Sequence, residues 1–367
     1  MKAQSFRMPL VDALKAVASQ LIVLHHLSAY GPLTETVQEV APSLMAWLFD
    51  YARIAVQVFL VIGGFLAAKG LAPQGQPVFS DPLALIRRRY LRLVLPYLAA
   101  IAIAILGAAL ARHWMIDESI PDAPHFAQWL AHATLLHGLL GYDALSAGVW
   151  YVAIDFQLFA LMVLALWLGR VSRLPLAAPL AVVALALAAL FGFNRDASWD
   201  NWAIYFFGSY GLGAVTWWAS ERGRLIAWLG VIATVGMAAL MVDFRLRIAV
   251  ALAIALLLGF ARRTGWLEKW PENATLAYLG QISYSVFLVH FPICLVANAI
   301  FVQYDFESTT AASIGMLLAW AASVAAGALF HRYVESTAPS WQIGSRLAGA
   351  AKAAGRFLFS LPARSGS

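Results

Sequence analysis

The first strongly apolar stretch of this chain carries more chemistry than its hydropathy suggests. Between residues 12 and 26 it holds Asp12, Lys15, Ser19, Gln20, His25 and His26. An ionisable group inside a run long enough to cross a membrane is costly and is a functional hypothesis by default. At about 100° per residue, the eleven steps from Lys15 to His26 return to within about 20° and rise about 16 Å. Ser19 stands about 40° from Lys15, Asp12 about 60° on the other side, and His25 about 80° off that face. Asp12, Lys15, Ser19 and His26 therefore form one stripe, predicted to face the interior of a bundle. A neutral imidazole in such a stripe suits general-base work. The alternative for His26 is a ring satisfied by a neighbouring carbonyl, and for His25 that alternative is favoured.

Three further segments carry chemistry. Arg87, Arg88, Arg89 and Arg92 crowd the start of another apolar run that contains Pro96. A basic anchor at a membrane face explains most of them. Arg89 and Arg92, at i and i+3, share a helix face, and two guanidiniums aimed at one spot suit a phosphate or pyrophosphate. Asp155 follows Trp150 and Tyr151 by about one and a half turns. It requires a partner, either as half of a structural ion pair or as a catalytic carboxylate oriented from another helix. The run from Ile282 to Pro292 contains Tyr284 and His290; His290 there is either an interfacial anchor or a member of the site. No metal site is expected. His125 and His132 share a face but stand about 10 Å apart, and a helix through His132 and His137 would turn them about 140° apart. Cys294 is the only cysteine, which excludes an intramolecular disulfide and a cysteine-based zinc site.

The elements that position these residues must be membrane helices. Of 367 residues, 62% are hydrophobic and 12% charged, against roughly 25% charged for a soluble domain. That excludes a globular cytosolic protein and a disordered chain. The expected fold is all-α, a polytopic bundle of about ten transmembrane helices, at about 13–30, 53–71, 91–111, 149–169, 175–193, 202–219, 225–242, 248–261, 275–300 and 310–330. Residues 126–142, interrupted by Gln128, His132, Thr134 and His137, are expected as a re-entrant or interfacial helix. With both termini in the cytoplasm, Arg53, Arg112, Arg195, Arg245 and Arg247 fall outside and the other 20 of the 25 Lys and Arg residues fall inside. This bias fits the positive-inside rule, and a further span at 126–142 would reverse it for everything downstream. The net charge of +6 is thus topological, and no basic stripe with interleaved aromatics points to nucleic acid. The domains expected are 1–337 in the membrane and 338–367 as a short basic cytoplasmic tail. In that tail Trp341, Phe357 and Phe359 beside Arg346, Lys352 and Arg356 suit the anionic inner leaflet, the alternative being a disordered tail. No phosphate-binding loop or dinucleotide fingerprint occurs, and Gly63-Gly64 suggests a close helix contact.

Taken together, these segments resemble the acyltransferase-3 family of integral-membrane acyltransferases. Asp12-Ala13-Leu14-Lys15-Ala16 with His26 resembles its D-G-L-R-A and following His. Phe59 to Leu66 resembles F-F-x-x-S-G-F/Y-L, and Arg89-x-x-Arg92 with Pro96-Tyr97 resembles R-x-x-R and I-P-Y. Trp150 to Phe159 resembles W-S/Y-L-x-x-E-x-Q, Ile282 to Pro292 resembles I-S-Y-S-x-Y-L-x-H-x-P, and Phe330 to Glu335 resembles F-x-x-x-E-x-P. Lys15 replaces the usual Arg, Gly63 the usual Ser and Asp155 the usual Glu.

The resemblance implies an O-acyltransferase of a bacterial inner membrane, which takes an acyl group, acetyl by default, from cytoplasmic acyl-CoA. The acceptor would be a hydroxyl of an extracytoplasmic glycan or lipid-linked sugar. Acyl-CoA would serve as co-substrate with no tightly bound cofactor and no metal. His26 and Asp155 are then the catalytic candidates, with Asp155 orienting His26 or Lys15. Lys15, Arg89, Arg92, Asp12, Ser19, Tyr284 and His290 are the substrate-binding candidates, the first three toward the phosphates of CoA. The competing reading is a transporter or flippase of an anionic or lipid-linked substrate, with the same stripe as its path.

Overall fold

A computed structural model describes residues 7–174, 176–221, 225–304 and 308–337. These fold into helices, with no strand among them. In chain order they are α1 (Pro9–Ala29), α2 (Pro32–Val40), α3 (Pro42–Tyr51), α4 (Val56–Leu71), α5 (Pro82–Trp114), α6 (Phe126–Ala133), α7 (Trp150–Val171), α8 (Ala177–Phe191), α9 (Ala203–Glu221), α10 (Leu225–Val242), α11 (Leu246–Thr264), α12 (Trp266–Lys269), α13 (Ala274–Gln303) and α14 (Thr309–Phe330). A π-helical turn, His331–Glu335, continues α14. Lys2, Arg222, Arg224 and the tail expected over 338–367 lie outside the described residues.

Each expected apolar run falls on a helix. Seven stretches among the described residues are long and apolar enough to cross a membrane: Pro9–Ala29, Pro42–Leu71, Pro82–Trp114, Trp150–Val171, Ala177–Arg195, Ala274–Gln303 and Thr309–Glu335. Ile226–Val242 is a shorter apolar helix. Tyr, Gly and Trp dilute α9, and Arg247, Arg262 and Arg263 interrupt α11. The helix over residues 126–142 proves shorter than expected. It stops at Ala133 after eight residues, about 12 Å, and the chain then runs through turns to Val149. That length cannot cross the ~30 Å hydrocarbon core.

Local chemistry sets the helix ends. Proline, with no N–H to leave unsatisfied, opens α1, α2, α3 and α5. Asp81, Asn273 and Ser308 cap α5, α13 and α14, accepting from the backbone N–H three residues on at 2.9–3.0 Å. α5 begins nine residues before the expected span, so Arg87, Arg88 and Arg89 sit on the same helix as Arg92.

Two packed layers matter for the site. One joins α1, α13, α14 and α5, and the other joins α4, α9, α8 and α11, with α7 touching both. α4 and α9 approach so closely that a Cβ on Gly64 would collide with the backbone carbonyl of Tyr210, and one on Gly213 with that of Val61. Small residues allow such contact between membrane helices, where no hydrophobic effect drives association. Gly64→Val therefore forces α4 and α9 apart. The expected result is a lowered thermal midpoint of the detergent-solubilised protein, from overpacking of roughly 1–3 kcal/mol. Gly70→Val, at a position facing open space, serves as the control.

Candidate active site

α1 brings His26 to the interior near its C-terminal end, and α13 brings His290 opposite it. His26 Nδ1 and His290 Nε2 are 2.7 Å apart, their rings stack at 4.8 Å, and the two residues are only 8% and 1% exposed. The tautomers follow from the next bond. His290 Nδ1 lies 3.2 Å from the carbonyl of Val286, which can only accept, so this nitrogen carries the proton. His290 Nε2 is then the acceptor, and His26 Nδ1 is the donor. The chain of bonds leaves His26 Nε2 with its lone pair. Tyr30 and Phe291 meet the His26 ring edge-on at 5.6 and 6.5 Å, and Cys294 Sγ lies 3.8 Å from the His26 carbonyl. His25 turns away, its Nδ1 3.2 Å from the carbonyl of Leu48. Helix geometry in the sequence separated the two adjacent histidines correctly. It gave no sign that His290, 264 residues on, would meet His26 in the core.

Of the two expectations for Asp155, the structure shows the ion pair and not a carboxylate orienting His26 or Lys15. α5 packs beside α7, and Asp155 Oδ2 accepts from Arg89 Nη2 in a close ion pair. The Arg89 guanidinium also lies 5.4 Å from the Phe159 ring centre. Tyr151, Tyr210 and Tyr284 stand around the pair, each within electrostatic reach of both charges. Tyr284 donates to the carbonyl of Leu93 at 3.3 Å. At Gly63 a Cβ would meet Tyr210 at 3.1 Å and Asp155 Oδ1 at 3.8 Å, so the replacement of Ser by Gly leaves room for the tyrosine. Arg89 and Arg92, expected to aim at one anion, have different settings: Arg89 is held by Asp155, while Arg92 is exposed.

Toward the start of α1, Lys15 Nζ lies 3.9 Å from Asp12 Oδ1 and within electrostatic reach of Glu335 and Arg92. The π-helical turn presents Glu335 to two donors, Ser285 Oγ at 2.5 Å and His331 Nδ1 at 3.0 Å. Gln281 Nε2 lies 3.2 Å from the other nitrogen of His331. Ser285, His331 and Gln281 were not singled out in the sequence; Glu335 appeared there only as the last charged residue of its motif. Ser19 is buried, donates within its own helix to Ala16 at 2.8 Å, and accepts from Gln20 at 3.3 Å.

Among the described residues no three potential metal ligands cluster. His132 and His137 do meet, contrary to the helical spacing, because α6 ends between them. Their rings stack 4.1 Å apart at 11°. His132 is satisfied, its Nδ1 2.9 Å from the carbonyl of Gln128 and its Nε2 accepting from the N–H of Leu145 at 3.2 Å. Both ring nitrogens of His137 are buried without a hydrogen-bond partner among the described residues. Burial, with a smaller contribution from His132, pushes His137 down to about 3.

A family model described as an acyltransferase domain, acyltransferase-3, matches residues 9–359, and the chain belongs to that family. It is also similar to the Regulator of hypoxia-inducible factor 1 of Caenorhabditis elegans, 26% identical over 188 residues. That likeness covers 47% of this chain and 36% of the nematode protein, so the chain spans only about a third of that relative's length. No solved structure matches the chain.

Two predictions follow from this geometry. Asp155→Ala strands the Arg89 charge in a partly buried setting, whereas Arg92→Ala removes an exposed one. The thermal midpoint is expected to fall much further for Asp155→Ala. The second concerns His137. Its folded-state pKa is depressed, so the unfolded segment binds the proton first and the fold loses stability as pH falls from about 6.5. The loss is complete near the folded value of about 3. Hydrogen exchange of residues 134–149, corrected for intrinsic rates, is expected to speed up across that window, and His137→Phe to flatten the trend.

Proposed function

We propose that this acyltransferase-3 member takes an acyl group, acetyl by default, from acyl-CoA on the cytoplasmic side and esterifies a hydroxyl of an extracytoplasmic glycan or lipid-linked sugar. The observation that carries the reading is the hydrogen-bond chain from the Val286 carbonyl through His290 to His26. It presents one imidazole nitrogen, His26 Nε2, with a lone pair in a helix interior.

In this scheme His26 Nε2 takes the proton of the acceptor hydroxyl. The oxygen attacks the thioester carbonyl carbon, a C–O bond forms and the C–S bond breaks. The CoA sulfur leaves with the proton held by His26. His290 keeps the ring of His26 in the reactive tautomer and shares the positive charge that develops on it. Lys15 and exposed Arg92 stand near the other end of α1, about 16 Å away along the helix axis, a distance suited to an extended pantetheine arm. There they would receive the phosphates of CoA. Asp155 is assigned to hold Arg89, and Asp12 and Glu335 to set the position of Lys15. Ser19 and Tyr284 would line the path between the ends. In this reading the topology expected from the charge bias, ten spans with both termini inside, would put the arginine-rich end of α5 in the cytoplasm. The membrane assigned by this reading is the bacterial inner membrane, where acyl-CoA lies on one side and envelope glycans on the other.

The test is release of CoA by the purified protein in liposomes with acetyl-CoA and extracted envelope glycans. His26→Ala is expected to lower kcat by at least about 100-fold, the usual contribution of a general base. Arg92→Ala is expected to raise the KM for acetyl-CoA with kcat little changed. CoA release that survives His26→Ala would remove the general-base assignment. No CoA release from any acyl-CoA would favour a transporter or flippase instead.

A further inference from the structure

At the end of the bundle where α1 finishes, a cavity of about 240 Å³ opens between the start of α7 and the loops before α7 and α9. Its walls include His137, Trp150, Gln157, Asp200, Asn201 and Phe206. Trp150 and Phe206 lie 5.5 Å apart at 30°, and Trp150 is 38% exposed, so an aromatic face is offered to whatever enters. Around it stand a carboxylate, two carboxamides and an imidazole. Asp200 and Asn201 are exposed, Gln157 donates an amide N–H to the carbonyl of Leu135 at 3.4 Å, and among the described residues neither its oxygen nor the ring nitrogens of His137 have a hydrogen-bond partner.

The geometry points to a binding site for a neutral polyhydroxylated ring, a pyranose, with the ring's C–H face on Trp150 and its hydroxyls on Asp200, Asn201 and Gln157. Each hydroxyl both donates and accepts, which matches a wall of mixed acceptors and donors and wastes none of it. An anionic ligand is disfavoured, because Asp200 repels it and no Lys or Arg lines the cavity. An acyl chain would strand the polar groups. The volume falls below the roughly 300–1,000 Å³ of drug-sized pockets, enough for one ring and not for several.

The cavity also adjoins the proposed site of chemistry. Gly148, two residues before Trp150, has a backbone φ of +82° and lies so close to the core that a Cβ there would be 3.4 Å from His26 Cε1 and 3.1 Å from Phe287 Cζ. The neighbour of Trp150, Tyr151, meets the same Phe287 ring at 5.5 Å. A pyranose seated on Trp150 is thus one wall away from His26. Its role as acyl acceptor rests on the proposed function; its binding does not.

The test is saturation-transfer NMR on the full-length protein in detergent, with methyl hexopyranosides and, separately, choline as probes at millimolar concentration. At least one methyl pyranoside is expected to bind. Asp200→Asn and Asn201→Ala, both at exposed loop positions, are each expected to weaken it by roughly tenfold, the loss of one good hydrogen bond. Gly70→Val, at a position facing open space, is expected to bind it as the wild type does. In the turnover assay Asp200→Asn should raise the acceptor KM and leave the acyl-CoA KM unchanged. No pyranoside binding, binding indifferent to both loop variants, or choline binding in its place would each overturn the inference. Pyranoside binding that follows Asp200 and Asn201 while CoA release fails would uphold this site and reject the proposed transfer.

Discussion

A polar group inside a membrane must find its partner within the protein, and the pairing of His26 with His290 is the point at which this bundle meets that demand most directly. Two rings on helices far apart in the chain come within 2.7 Å only if α1 and α13 touch along much of their length. The packing shows how that is achieved. A Cβ on Gly280 would run into the backbone of Asp12, so the two helices are already in contact near the start of α1. Further along, Cys294 reaches the His26 carbonyl, and Asn298 Oδ1 takes the N–H of Leu33 at 2.9 Å, fixing the chain as it leaves α1. Glycine, cysteine and asparagine in one line along the α1–α13 seam are the means by which two imidazoles share one proton line.

The same rule explains the fate of Arg89. A guanidinium near a membrane face and at the entrance of a packed bundle either stays in water or takes a counter-charge with it. Arg92 does the first and Arg89 the second, although they lie three residues apart on one helix. Asp155 is therefore an electrostatic partner before it is anything else. The tyrosines around the pair lie within electrostatic reach of both charges, but the close contact is the one between Arg89 and Asp155 themselves. Shortening Glu to Asp at this position suits a guanidinium that approaches as closely as Arg89 does.

Much of this was legible in the sequence, and the parts that were not share a cause. Helical period alone placed His26 inside and turned His25 away, because both facts belong to one helix. Hydropathy located the ten helical segments, because each is a local run. The family pattern identified the segments that carry Arg89, Asp155 and His290. Which residue meets which was hidden, since the contacts Arg89–Asp155 and His26–His290 depend on how helices pack, and no periodicity in one helix encodes its neighbour. The stacking of His132 on His137 was misjudged for a different reason: the geometry of a continuous helix was extended past Ala133, where the helix ends. The expected count of ten crossings exceeds the seven that length and apolarity support, the three others being α9, diluted by aromatic and glycine residues, α10, whose apolar stretch is short, and α11, interrupted by arginines.

The length of α5 bears on where a charged donor could bind. Thirty-three residues make a rod of about 50 Å, about 20 Å longer than a ~30 Å hydrocarbon layer, and Arg87 and Arg88 lie in its first two turns. If a phosphorylated donor docks there, its charges stay in the aqueous phase while only an uncharged arm enters the bundle. What passes from one face to the other is then a neutral acyl fragment, and no net charge moves through the electric field. Such a reaction would be electrically silent: it would run at the same rate in an energised and a de-energised cell, drawing its driving force from the thioester bond and from no ion gradient.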